Sequence, residues 1–177
     1  MKNIGITICL IIFASIAVAQ PMSTVIKTQA LEMGKALVSG DAKTFSKFML
    51  PELIEAGNEA RLKNGQTEMS LDSVFALFKQ FGGNVESITY GNPGKIVKYK
   101  NELQSTLPQT TSVTSPFADV VFSSTLVAIS RDEGKNWYFY DTNAGRMGQL
   151  KNKAPDISPE LEIPKATPPK ITPKQQQ

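Results

Sequence analysis

The chain has 177 residues, 41% of them hydrophobic and 20% charged, with 19 Lys+Arg against 16 Asp+Glu, no histidine and a single cysteine, Cys9. Without histidine there is no Ser-His-Asp or Cys-His pair, no imidazole base near neutral pH and no His-ligated zinc. Residues 20–150 hold 13 basic and 13 acidic side chains, so this region of zero net charge, with only Arg61, Arg131 and Arg146 as arginines, is not expected to bind nucleic acid.

The chain opens on Lys2 and an apolar stretch from Ile4 to Val18, followed by the small-x-small triplet Ala17-Val18-Ala19. This is the pattern of a secretion signal, residues 1–19, cleaved near Ala19. The stretch is shorter than the ~20 residues that a membrane span needs. The expected product begins at Gln20, is exported to the periplasm or beyond, and has no transmembrane segment. Cys9 lies within the apolar stretch, so the exported part folds without a disulfide.

Residues 20–150 read as one domain with helices first. From Thr24 to Ser39, Ile26, Ala30, Met33 and Leu37 recur at helical spacing, and Leu31, Gly34 and Val38 widen the stripe. Gly40 ends this helix and Asp41 caps the next, which carries Phe45, Phe48 and Met49. Pro51 kinks that helix or starts another running to about Leu62. Ser70 is an N-cap, Asp72 suits the first turn, and Met69 and Val74 occupy the positions of a hydrophobic staple. Leu71, Val74, Phe75, Phe78 and Phe81 share the face of this third helix and are expected in the core, with Gly82-Gly83 ending it.

Beyond Gly83 the apolar period becomes two. Strands are predicted at Asn84–Tyr90, Lys95–Tyr99, Glu102–Thr114, Ala118–Ser130 and Asn136–Asp141, with Pro108 marking a bulge or an edge. Short turns between successive strands predict an antiparallel sheet, and helices grouped ahead of it predict an α+β fold. From Ala154 onward six of 24 residues are proline. The segment 151–177 is therefore expected to be a Pro/Lys-rich tail. Ile157, Leu161 and Ile163 are expected to hold an extended arm against the domain to about Pro164, with disorder beyond Ala166.

Ser130-Arg131-Asp132-Glu133-Gly134-Lys135-Asn136-Trp137 fits S-x-D-x-G-x-x-W. It resembles the Asp-box of sialidases and other β-propellers, where the motif repeats. Here it occurs once and without a blade period, so it predicts a stabilised hairpin and no sialidase. Asp132 is expected to accept backbone N–H groups of its own turn, Gly134 to supply a positive φ, and Trp137 to fold under as an anchor beside Ser130. In Trp137-Tyr138-Phe139-Tyr140, alternation sends one pair to the core. The other pair is expected on an exposed apolar-aromatic face through which a homodimer forms.

Ala36-Leu37-Val38-Ser39-Gly40-Asp41-Ala42-Lys43-Thr44-Phe45 resembles the A-L-x-x-G-D-x-x-x-F turn between the first two helices of the NTF2-like (SnoaL-like, cystatin-like) superfamily, and the element order is similar from Thr24 to Thr142. The resemblance implies a cone, in which helices pack on a curved antiparallel sheet with a pocket at the open end. Enzymatic members include isomerases, cyclases and dehydratases; histidine-dependent ones have no counterpart here. The candidate pocket residues are Tyr90, Tyr99, Asp119, Tyr138 and Tyr140, none of which falls in a catalytic motif. No S-x-x-K, phosphate-binding glycine loop or calcium loop occurs, and neither a cofactor nor a metal is expected. The reading is an exported, non-catalytic domain binding a small ligand or a protein. The alternatives are an isomerase- or lyase-type enzyme using carboxylate and tyrosine chemistry, and an envelope-associated module acting through its tail.

Overall fold

Helix α1 (Met22–Ser39) follows Pro21 and stops at Gly40, whose left-handed φ of 78° suits a residue without a Cβ. The computed structural model describes residues 21–143, 155–165 and 167–175. The segment read as a signal, the end of the domain after residue 143 and the first residues of the tail lie outside them. Ile26, Ala30, Met33, Gly34 and Ala36 form the buried stripe of α1. Leu31 and Val38, expected to widen it, are instead exposed, because only the arc facing the sheet is covered. Helix α2 (Ala42–Ser46) is capped by Asp41, whose carboxylate accepts the Thr44 amide at 2.9 Å. Pro51 starts a separate helix, α3 (Pro51–Lys63), at a position where its missing N–H costs nothing.

Helix α4 (Leu71–Gln80) is capped by the Ser70 hydroxyl, which accepts the Ser73 amide at 3.2 Å. Its apolar face is not core, contrary to the periodicity. No residue of α4 is buried, and Val74, Phe78 and the adjoining Phe81 are exposed. The sheet face that would have covered them is taken by α1. Helix α4 is left at the margin, with Phe75 stacked at an angle on Phe45, ring centroids 5.6 Å apart.

The sheet contains β1 (Asn84–Tyr90), β2 (Val97–Tyr99), β3 (Glu102–Thr114), β4 (Ala118–Ser130), β5 (Tyr138–Asp141) and β6 (Lys170–Pro173). The order is β1-β3-β4-β5, with β2 also on β3 and β6 also on β4, all antiparallel. The fold is thus α+β, with four helices ahead of an antiparallel sheet among the described residues. Pro108 lies inside β3, opposite Thr125. It is tolerated because β1 ends opposite Gln109 and β2 reaches only to Gln104, so Pro108 faces the loop between them. That loop donates the amides of Gly91 to the Pro108 carbonyl and Gly94 to the Thr106 carbonyl, at 2.9 and 2.8 Å. The bulge lies elsewhere, between Val85 and Ser87.

One sheet face packs Leu107, Leu126, Ala128, Trp137 and Phe139 against Ile26, Ala30 and Met33 of α1, with Phe48. The other carries Val127, Ile129 and Tyr140, covered by Leu50, Leu53, Ile157 and Leu161. The exposed aromatic face expected here is therefore not exposed: Tyr140 is buried and Tyr138 half-buried. The arm supplies the cover. Gln104, fully buried, accepts the Ser158 amide at 2.8 Å and donates to the Asp156 carbonyl at 2.7 Å, pairing with the arm as a strand would. Ile163, expected to anchor the arm as well, is exposed.

The tail also departs from expectation beyond residue 166, since Lys170–Pro173 is a strand. Strand β5 pairs only with residues 126–129 of β4, leaving the edge of its first half open. Unpaired backbone groups there accept β6 opposite Ala118–Val121.

Candidate functional site

A cavity of about 220 Å³ lies between the first three helices and the sheet. Helix α1 contributes Met33 and Leu37, α2 contributes Phe45, and Met49 and Leu53 come from the following turn and α3. The sheet contributes Tyr90, Gln109, Leu126, Phe139, Tyr140 and Asp141, from β1, β3, β4 and β5. Three larger hollows, about 460 Å³ beside Val120 and Pro168, about 480 Å³ beside Thr24 and Pro93 and about 250 Å³ beside Ser124 and Lys165, are more open grooves on the surface. A ligand site that fixes orientation is expected where apolar walls enclose a few polar groups, and the 220 Å³ cavity has that make-up.

The polar groups follow from register. Tyr90 pairs with Gln109 and Gln109 with Ser124, so the three lie in one row across β1, β3 and β4. Gln109 Nε2 donates to Ser124 Oγ at 3.3 Å, and that hydroxyl donates to Asp141 Oδ2 at 3.1 Å. Asp141 Oδ1 accepts the Asn143 amide at 2.8 Å. At the other end of the row the Tyr90 hydroxyl is buried and has no hydrogen-bond partner among the described residues. Burial pushes its pKa well above the ordinary tyrosine value. Burial and the charge of Asp141 push Tyr140 in the same direction.

Of the five candidate pocket residues, Tyr90 and Tyr140 border the cavity and the other three do not. Tyr140 does so from the edge strand β5, although its ring packs with Val127 and Ile129 on the other sheet face. Tyr99 lies on the short strand β2, under the ammonium of Lys100 at 5.6 Å from its ring centre. Asp119 is at the outer end of β4, where Lys174 of the tail lies 2.8 Å away and Thr114 donates a second hydrogen bond. These bonds hold its carboxyl below the usual range. Tyr138 packs on the opposite sheet face, beside the cluster of Val127 and Ile129. Asp141 and Gln109 complete the cavity, and nothing in their local sequence distinguishes them from other polar strand residues.

The Ser130–Trp137 turn is separate from the cavity. Asp132 Oδ1 accepts the Asn136 amide and the Ser130 hydroxyl, each at 2.9 Å. Gly134, at φ 87°, donates its amide to Ser130 Oγ at 2.9 Å and accepts the Trp137 indole N–H at 3.0 Å. Trp137 is buried, and Gln29 of α1 accepts its backbone amide at 2.8 Å. Arg131 projects from the same turn, donating to Glu102 at 2.7 Å and Glu52 at 2.5 Å. It thereby joins β3 and α3, and the bond from Arg131 holds the Glu52 carboxyl below its usual range. The side chains of Ser130, Arg131, Asp132, Asn136 and Trp137 are all bonded within the protein, which marks this turn as a clasp.

Among the described residues no group of three or more acidic, histidine or cysteine side chains could hold a metal ion, and no helix is long and apolar enough to cross a membrane. Comparisons with protein-family models, with curated proteins and with solved structures gave no match to this chain.

Proposed function

We propose that the protein is an exported, non-catalytic domain that takes a small, ring-sized molecule into the cavity between its helices and sheet. The observation that carries this reading is the Tyr90 hydroxyl, buried with no partner among the described residues, on a side chain that lines that cavity. Such a group costs free energy in the empty protein, and a ligand oxygen or nitrogen would recover it. An apolar cavity of about 150 Å³ accommodates benzene, so 220 Å³ suits one ring with short substituents. The NTF2-like reading is supported by the element order, by Asp41 capping α2 directly after Gly40, and by a cavity between helices and sheet. Export rests on Lys2, the apolar stretch to Val18 and Ala17-Val18-Ala19.

Binding is favoured over catalysis by the state of the polar groups. The raised pKa values of Tyr90 and Tyr140 keep both phenols protonated near neutral pH, where neither acts as a base. Asp141 already accepts two hydrogen bonds, on separate oxygens.

The test is thermal unfolding of the purified, processed protein with monocyclic compounds bearing one hydrogen-bonding oxygen, followed by NMR. Ligand at a hundred times its Kd adds about 2.7 kcal/mol of stability. A compound that raises Tm and perturbs Tyr90 and Leu126 supports the cavity. Uniform failure across such compounds, with no perturbation of those residues, rejects it.

A further inference from the structure

The charge of the cavity narrows its ligand. Among the described residues lining it, Asp141 is the one acidic or basic side chain, so this part of the lining carries a single negative charge. Among the described residues the two hydrogen-bond donors to Asp141, the Ser124 hydroxyl and the Asn143 amide, are both neutral. A carboxylate has about four acceptor positions, which leaves room for a further donor. The rest of the described wall is aromatic and aliphatic, with Phe45 and Phe139 among its rings. Aromatic faces attract cations and repel anions. Tyr90 stands three strands away from Asp141 in the order β1-β3-β4-β5, at the opposite end of the polar row.

Building on the reading of this cavity as a ligand site, we infer that its ligand is a small aromatic amine, protonated at neutral pH, with a hydrogen-bonding oxygen at the end of the molecule away from the nitrogen. The ammonium donates to Asp141, the ring packs among the phenyl side chains, and the oxygen meets the Tyr90 hydroxyl. Acidic ligands of the same size are disfavoured, since they would bring a second negative charge beside Asp141 with no basic residue among the described residues of the wall to offset it.

Four probes of nearly equal size separate these elements: tyramine, its neutral alcohol counterpart 4-hydroxyphenylethanol, its anionic counterpart 4-hydroxyphenylacetate, and phenethylamine, which lacks the oxygen. Calorimetric titration of the purified, processed protein is expected to rank tyramine first. The neutral alcohol should be about tenfold weaker or more, as for loss of a charge-assisted hydrogen bond, and the anion should not bind. Phenethylamine is expected to fall below tyramine by several-fold. In Asp141→Asn the preference for tyramine over the alcohol should disappear while the alcohol still binds, which also reports an intact cavity. If the alcohol or the anion binds wild-type protein as tightly as tyramine, the amine inference is overturned and the cavity reading stands. If none of the four binds, both fall.

Discussion

Gly34 of α1 and Tyr90 of β1 meet so closely that a Cβ on Gly34 would stand 2.9 Å from the tyrosine hydroxyl and 3.1 Å from its ring. The helix can lie against the sheet at this point only because Gly34 has no side chain. The same contact fixes the position of the buried hydroxyl of Tyr90, whose side chain lines the cavity.

Two substitutions probe that contact. Gly34→Ala gains about 1 kcal/mol in helix propensity but overpacks against Tyr90, at a cost of about 1–3 kcal/mol. A net loss of stability is expected, with Tyr90 displaced and ligand binding weakened. Tyr90→Phe removes an unsatisfied buried hydroxyl and should stabilise the empty protein by about 1 kcal/mol while weakening ligand binding. Urea denaturation of both variants checks the signs. A Tyr90→Phe protein less stable than wild type would mean that the hydroxyl has a partner after all.

Gln104 ties the arm to the sheet through both ends of its amide. Gln104→Ala breaks both bonds in a fully buried place and should cost about 2–3 kcal/mol, mostly by releasing residues 156–161. Hydrogen exchange of the Ser158 amide should accelerate well beyond that of β3. If Ser158 stays protected, Ile157 and Leu161 hold the arm without Gln104.

Acid should unfold the protein without an intermediate step near neutrality. No histidine is present, so no side chain ordinarily titrating between about pH 5 and 8 is available to change stability there. Asp132 has its folded-state pKa lowered from 3.8, chiefly by the Asn136 amide, so its contribution is present above that value and is lost as pH falls through the folded-state pKa. Glu52 behaves alike below 4.5 through Arg131. Urea midpoints should be nearly constant from about pH 8 to 5 and fall below pH 4. The stability difference between wild type and Asp132→Asn should shrink over that fall. A constant difference down to pH 2 would show that the Asp132 charge does not matter to the turn.

Strand β6 covers an otherwise open edge with four residues that are all exposed. Deleting residues 166–177 should therefore lower Tm only slightly, yet bare Ala118–Val121 and leave Phe117 beside them. Open edges with apolar neighbours associate. Light scattering is expected to show concentration-dependent self-association of the truncated chain that the full-length protein lacks. A truncated chain that stays monomeric at high concentration would show that the edge needs no cover.

Much of the secondary structure is legible in the residues themselves. Strands β3 and β4 have the bounds that alternation and their turns predict, Glu102–Thr114 and Ala118–Ser130. Asp41, Pro51 and Ser70 mark helix starts because a cap or a missing N–H acts within a few residues of its own position. The aromatic row of α4 illustrates the limit. Its period correctly indicates a helix with an apolar face, but period says nothing about which of two amphipathic helices takes the one available sheet surface. Likewise, Tyr90 and Tyr140 carry no local mark that separates them from Tyr99 and Tyr138.

The sequence by itself determined the local chemistry: where helices begin and end, which segments extend, which turn Asp132 and Trp137 stabilise, and which catalytic groups are absent. Each of these depends on interactions spanning a few residues. Only the tertiary structure decided that the arm and β6 cover the sheet, that α4 stays at the margin, and that Tyr90 and Asp141 end the same polar row. Those outcomes arise from competition for a limited surface and from strand order, which pair residues dozens of positions apart. A local pattern does not contain that information.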